Sequence, residues 1–405
     1  MNRAGAALQP ARTLRVGIVA GEHSGDTLGA ALIEALRARV PRAEFFGVAG
    51  PKMLAAGCER WASSEELAVM GLAEVLAHLP RLLRLRAALL GRFRTARPDV
   101  FVGIDSPEFN LRLARGLKAA GIRTVQFVSP QVWAWRQGRV RTIGTACDLV
   151  LCLLPFETQF YASHDVRAEF VGHPLADEIP LVSDKAAART ALGLDADAPL
   201  IALLPGSRLG EVTRLAAPFV QAAGAIRARH PEYRFVAPMA SGLTREAFAR
   251  EIAQLPAAAD IRLVEGEAQQ ALAACDAAIV ASGTATLETL LTGRPMVVAY
   301  RVSALTAFLV RATGLVKVRY FSQPNLLAGR RLVPELLQEQ VTGPALAEAL
   351  LSELEDPQHV AELVSEFTAI HRTLRCGAAA RAAEAILACL PGAPSGSGEQ
   401  HVAPR

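Results

Sequence analysis

The sequence predicts an α/β protein made of two Rossmann-like domains, each a parallel sheet covered by helices on both faces. Three observations carry this. Short apolar runs alternate with helix-length stretches along the chain, and the runs are apolar at successive positions. A polar, proline-containing stretch around residues 172–190 divides them into two series. A strand buried on both faces has no solvent side to leave polar, which is the pattern of a parallel sheet between helical layers. A length of 405 residues fits two domains, because single cores stop growing at about 250–300 residues.

The first series of strands is RVGIVA (15–20), EFFGVA (44–49), DVFVGI (99–104), RTVQFVS (123–129), DLVLCLLP (148–155) and AEFVG (168–172). The second is LIALLP (200–205), YRFVAP (233–238), IRLVEG (261–266), AAIVAS (277–282) and PMVVAY (295–300). Domains are therefore expected at 13–172 and 173–390, the latter including the C-terminal helices. Residues 1–12 and 391–405 read as flexible tails. Ligands of such sheets bind beyond the carboxyl ends of the strands, and a cleft between the two domains is expected.

Composition narrows the class. Hydrophobic residues are 51% and charged residues 20%, the balance of a globular chain, and a net charge of +4 does not by itself imply nucleic acid. The six cysteines are scattered without a CxxC pair or a Cys/His cluster, which suits reduced thiols in a cytosolic protein and no metal. No apolar run approaches the roughly 18 residues of a membrane span. The N-terminus lacks the apolar core of a signal peptide. Neither GxGxxG nor GxxxxGK[ST] occurs, which argues against a dinucleotide site and a P-loop.

Five stretches at strand ends could carry chemistry. AGEHSGDTLGA (20–30) brings Glu22, His23, Ser24 and Asp26 to the end of the first strand, where a capped turn is the plain alternative. DVFVGIDSPEFN (99–110) ends a buried strand on Asp105, either a helix cap or a catalytic group. LLPGSRLGEV (203–212) places Gly206, Ser207 and Arg208 where a helix N-terminus and a guanidinium would hold phosphate. ASGTATLETLLTGRP (281–295) repeats the pattern with Ser282, Gly283 and Thr284, and Glu288 follows one helical turn later, placed to bond ribose hydroxyls. SPQVWAWRQGRVRTI (129–143) holds Trp133 and Trp135 beside Arg136, as core packing or as the wall of a pocket for an anionic, partly apolar ligand.

Two acid-free stretches add a surface property. RLLRLRAALLGRFRTAR carries six arginines among leucines, with Arg81, Arg84 and Arg92 clustered on a helical wheel and Arg86 inside the apolar arc. Residues 289–334 place Arg311, Lys317 and Arg319 beside Phe308, Leu309, Val310, Leu315 and Val316. Such runs suit docking on an anionic membrane surface as well as an ordinary solvated face.

In order, AGEHSGDTLGA, VAGPKMLAAGC, ELAVMGLAEVL, GIDSPEFN, VSPQVWAWRQGRV, LPFE, FVGHPLAD, LLPGSRLGEV, ASGTATLE, MVVAYR and QPNLLAGRRLVPELLQ resemble the lipid-A-disaccharide synthase family from about residue 14 to about 390. These are inverting glycosyltransferases of the two-domain GT-B fold. The chain departs from the family pattern at Ser106, Glu108 and Gln323, where alanine, aspartate and leucine are usual. The resemblance implies transfer of 2,3-diacylglucosamine from its UDP donor to the 6-hydroxyl of 2,3-diacylglucosamine 1-phosphate, giving a β-1,6-linked disaccharide and UDP. It implies no metal or other cofactor, a place at the cytoplasmic face of the inner membrane, and a homodimer.

On this reading Asp105 is the base, with Glu22 and Ser24 as further catalytic candidates. Asp26, Trp133, Arg136, Asn325 and Gln338 would contact substrate. Gly206, Ser207, Arg208, Ser282, Gly283, Thr284 and Glu288 would hold UDP. The rivals are another UDP-sugar enzyme of the same fold, such as an epimerase, and a non-catalytic nucleotide-sugar sensor. Turnover of a sugar nucleotide lacking acyl chains would favour the first, and a silent Asp105 substitution the second.

Overall fold

The computed structural model describes residues 13–67, 72–135, 137–255, 260–303 and 319–391. The chain divides into two compact units, one running to Pro174 and resuming at Cys376, the other Leu175–Arg375.

The first unit is a seven-stranded sheet in the order β3-β2-β1-β4-β5-β6-β7, parallel at every neighbouring pair. The strands are β1 (Arg15–Ala20), β2 (Glu44–Ala49), β3 (Glu59–Ser63), β4 (Val100–Ile104), β5 (Arg123–Phe127), β6 (Leu149–Cys152) and β7 (Ala168–Phe170). Between them run α1 (His23–Arg39), α2 (Pro51–Ala55), α3 (Leu72–Ala96), α4 (Pro107–Lys118), α5 (Val132–Trp135), α6 (Val140–Ala146) and α7 (Pro155–Ala162). Both faces of the sheet are covered. Ile18 and Val102 pack into one core with Leu32 and Leu36 of α1, whereas Val19 and Phe101 pack into the other with Leu89 and Phe93 of α3 and Leu113 of α4. Alternate residues of one strand thus feed opposite cores, which is why the runs are apolar throughout.

The second unit repeats the plan with six strands in the order β10-β9-β8-β11-β12-β13, again parallel. After the short α8 (Pro174–Glu178) and α9 (Lys185–Ala191) come β8 (Leu200–Leu204), α10 (Leu209–Arg229), β9 (Arg234–Met239), α11 (Gly242–Gln254), β10 (Ile261–Glu265) and α12 (Ala268–Ala274). Then follow β11 (Ala277–Ala281), α13 (Thr284–Leu291), β12 (Met296–Tyr300) and β13 (Glu335–Leu337).

All eleven strands read from the sequence are present, several ending one to three residues earlier than the apolar run. Two strands were missed, β3 and β13. Both are edge strands with no fully buried residue, so neither needs an apolar run. The domain boundary also needs correction. The last helix, Ala378–Ala388, belongs to the first unit, where Ala382, Ala383 and Ile386 join the core formed by β1 and α1. An alanine-rich amphipathic helix fits any flat apolar surface, and its sequence does not say which.

Candidate active site

In the first unit the strand order reverses between β1 and β4, which lie side by side with Ala20 opposite Ile104. Loops leaving two such strands diverge, and the opening between them is where α/β sheets bind ligands. Here these loops touch. A Cβ on Gly21 would lie 2.0 Å from Ser106 Oγ, so the close approach requires glycine. Glu22, His23 and Ser24 stand exposed above it at the start of α1.

Asp105 has a left-handed backbone, φ +51°, and so does Ser106 at +39°. This conformation is uncommon in residues other than glycine. The N-cap of α4 is Ser106, and the hydrogen bond to the Asp105 carboxyl comes from the Ser106 backbone N–H, the N-cap residue itself, rather than from the first turn of the helix. Burial raises the Asp105 pKa above the usual carboxylate value, opposed by a hydrogen bond from the Ser106 backbone. Raising a carboxylate's pKa makes it a stronger base while it stays ionised.

At the same end of the sheet, the indole N–H of Trp133 in α5 donates to Glu157 Oε1 at 3.1 Å. Its ring meets Phe156 edge-on at 4.9 Å between centroids. Glu157 is 3% exposed, and burial pushes its carboxyl up to about 7 against hydrogen bonds from the Leu154 backbone and from Trp133 and Ser129.

In the second unit the reversal falls between β8 and β11, and a pocket of about 320 Å³ opens at their carboxyl ends. Gly206, Ser207 and Arg208 line it from the β8–α10 turn, and Ser282, Gly283, Thr284 and Glu288 from the β11–α13 turn. Gly206 has φ +114°, and a Cβ there would lie 2.5 Å from Glu211 Oε2. Arg208 has a side chain 70% exposed and only a 3.8 Å approach to Glu211, so its guanidinium can turn to a ligand at little cost. Both turns open helices, whose first N–H groups have no partner within the helix and attract anions. Burial raises the pKa of Glu288, with a hydrogen bond from Gln269 lowering it and Glu178 raising it.

A family model described as lipid-A-disaccharide synthetase matches residues 16–386. The chain belongs to the lipid-A-disaccharide synthase family. It is 54% identical to the lipid-A-disaccharide synthase of Alkalilimnicola ehrlichii over 94% of this chain and 99% of that one. It is 53% identical to that of Pseudomonas aeruginosa over 92% and 97%. Among solved structures it resembles a kitacinnamycin glycotransferase (TM-score 0.63, 20% identity, 94% and 100% covered). It also resembles a putative UDP-N-acetylglucosamine 2-epimerase from Listeria monocytogenes (0.62, 15%, 93% and 96%). These show the fold, which is GT-B.

For a chain of the synthase family, the structure sorts the nominated residues into two groups. The seven nominated for UDP share one pocket, and Glu22, Ser24 and Asp105 share one rim. Within the pocket, Ser282 contributes shape more than donors, because its hydroxyl donates to Phe321 O at 3.0 Å and its N–H to Ala299 O.

Two nominations are corrected. Asp26 is 1% exposed, and its carboxylate accepts the N–H groups of Gly50, Lys52 and Met53 at 2.9, 2.9 and 3.0 Å, capping α2 rather than meeting a ligand. Asn325 is fully buried, with Oδ1 accepting from Leu332 and Val333 and Nδ2 donating to Val333 O and Glu335, so no hydrogen-bonding capacity faces substrate. Gln338 sits at the end of β13 with φ +51°, its Oε1 taken by the Val302 N–H. Arg136, the Trp135 side chain and residues 304–318, including Phe308, Leu309, Val310, Arg311, Leu315, Val316 and Lys317, lie outside the described residues.

Sequence reasoning missed the second wall of the pocket, Pro238 to Ala240 and Gly266, which carries no side-chain signal. It also missed Glu157, Asn110 and Gln126. The last two stand among other polar residues, Arg112 and Arg115 in α4 and Arg123 and Thr124 in β5, so no local pattern marks them out.

Proposed function

We propose that the protein transfers 2,3-diacylglucosamine from UDP-2,3-diacylglucosamine to the 6-hydroxyl of 2,3-diacylglucosamine 1-phosphate. As the acceptor oxygen attacks the anomeric carbon, Asp105 takes its proton, the bond from that carbon to the diphosphate breaks, and UDP leaves. One displacement inverts the configuration and gives the β-1,6 linkage. Arg208 and the N–H groups opening α10 and α13 stabilise the charge that grows on the leaving diphosphate, and Glu288 binds the ribose. Glu22 and Ser24 shape the acceptor side, with Trp133 beside them.

The observation that carries this reading is the convergence of two anion-holding turns and Glu288 on one pocket, in a chain about half identical to named synthases. The epimerase likeness is one of fold alone. We place the protein at the cytoplasmic face of the inner membrane. Leu79 and Leu83, 40% and 41% exposed beside the exposed Arg81 and Arg84, support docking on an anionic surface. No helix among the described residues is long and apolar enough to cross a membrane. For the homodimer, the family resemblance is the support.

The test is Asp105→Asn, which keeps size but cannot take a proton. It should remain folded, bind UDP as the parent does, and lose about 10²–10⁴-fold in turnover. Full turnover per folded molecule would place the base elsewhere.

A further inference from the structure

The turn that presents Asp105 is held from beneath by two buried amides. Asn110 of α4 is 0% exposed and Gln126 of β5 is 1% exposed. Both donate to the backbone carbonyl of Asp105, Asn110 Nδ2 at 2.9 Å and Gln126 Nε2 at 3.1 Å. Each reaches two further carbonyls at longer range. Asn110 Nδ2 lies 3.3 Å from Val19 O and 3.2 Å from Ile104 O, at the ends of β1 and β4. Gln126 Nε2 lies 3.3 Å from both Phe127 O and Val128 O. An amide NH₂ has two hydrogens, so with three acceptors at least one bond is shared, and the shortest contact of each amide is the one to Asp105. Carbonyl oxygens on that side also fix which end of each amide is nitrogen, since the reverse orientation would oppose oxygen to oxygen.

What these amides hold is strained. Asp105, Ser106 and Val128 all have positive φ, at +51°, +39° and +73°. For a β-branched valine this is a true outlier, and such backbone persists only where its surroundings over-determine it. The Asp105 N–H adds a 3.0 Å bond to Phe127 O, tying the two turns together. Space for both amides comes from Gly103, where a Cβ would lie 2.8 Å from Asn110 Cβ and 3.1 Å from Gln126 Oε1. Asn110 Oδ1 is buried with no hydrogen-bond partner. A residue kept for its own satisfaction would not leave half of its amide unpaired.

We infer that Asn110 and Gln126 are positioning residues for the reaction, fixing the left-handed backbone that aims the Asp105 carboxyl at the acceptor hydroxyl. The inference rests on the reading of Asp105 as the base. Neither amide touches substrate, and both act through one carbonyl.

The test is a set of kinetic double-mutant cycles. Gln126→Met and Asn110→Leu keep approximate size and remove the donors. Each should bind UDP normally, leave KM for both substrates within about twofold, and lower kcat about ten- to a hundredfold, the cost of displacing a reacting group by about an ångström. In the Asp105→Asn background either substitution should change kcat less than about twofold, because the group being positioned is already gone. Losses that multiply in the double variants would overturn the inference, as would full kcat in folded Gln126→Met. Should Asn110→Leu fail to fold, Gln126→Met alone decides, since its side chain changes only at the tip and β5 keeps its ladder. If Asp105→Asn itself retains full turnover, the base assignment has failed and the inference with it. If Asp105→Asn is slow and Gln126→Met is not, only the inference has failed.

Discussion

Glu157→Gln should change how stability depends on pH, with a sign the structure fixes. Burial raises the Glu157 carboxyl from 4.5 to about 7 in the folded protein. Below pH 4.5 both states hold the proton and nothing is lost. Between 4.5 and 7 the unfolded chain releases it while the folded chain keeps it, so the folded state binds more protons and stability falls as pH rises. Above about 7 both are ionised and the loss is complete. A gap of about 2.5 pH units at about 1.4 kcal/mol each gives a full loss of about 3.5 kcal/mol. Glutamine cannot ionise and escapes it; its single amide oxygen can accept from Trp133 or from Leu154 but not from both, a cost that does not change with pH. The stability of the variant relative to the parent should therefore rise by about 3 kcal/mol between pH 4.5 and 7.5. All three tryptophans, Trp61, Trp133 and Trp135, lie in the first unit, so denaturant unfolding followed by tryptophan emission reports on that unit alone. Native emission should also titrate near pH 7 in the parent and not in the variant. Parallel stability curves and a flat parent titration would show that Glu157 is already ionised in the fold.

Arg208→Ala and Glu288→Ala should each weaken UDP binding by about 1.5–3 kcal/mol in calorimetry with the fold intact, and unchanged affinity in both would move the nucleotide elsewhere. Asp26→Ala strands three N–H groups of α2 and should cost at least about 3 kcal/mol in urea unfolding, while turnover per folded molecule stays near the parent value. Binding to anionic vesicles should weaken in high salt, and weaken further when Arg81, Arg84 and Arg92 are neutralised, by at most about 1 kcal/mol each. Arg84 should matter most, because Arg81 pairs with Glu66 and Arg92 lies 4.0 Å over the Trp61 ring, paired with Glu59. Equal binding to neutral vesicles would leave only the apolar contribution.

What was legible in the sequence follows from where information is stored in side chains. Central strands announce themselves because both faces are buried, and the turns that line the pocket of the second unit because glycine, serine and arginine sit at strand ends. The edge strands β3 and β13 have no fully buried residue and leave no such mark. Asp26 and Asn325 looked like ligand residues because a carboxylate or amide that caps a helix or clamps a loop has the same chemistry as one that binds substrate. Only the partners distinguish them. The Trp133–Glu157 contact spans 24 positions, and no local pattern encodes it.

The return of the chain at Cys376 has a consequence for synthesis. The second unit is one uninterrupted segment, complete once Arg375 has left the ribosome, whereas the first still lacks Ala382, Ala383, Ile386 and Cys389 from its core. Vectorial synthesis usually favours the N-terminal part. Here the later-made unit can finish first, and the earlier one waits with the apolar side of α1 uncovered until the last helix emerges. A chain released at Arg375 would therefore carry a complete second unit and a first unit still lacking part of its core.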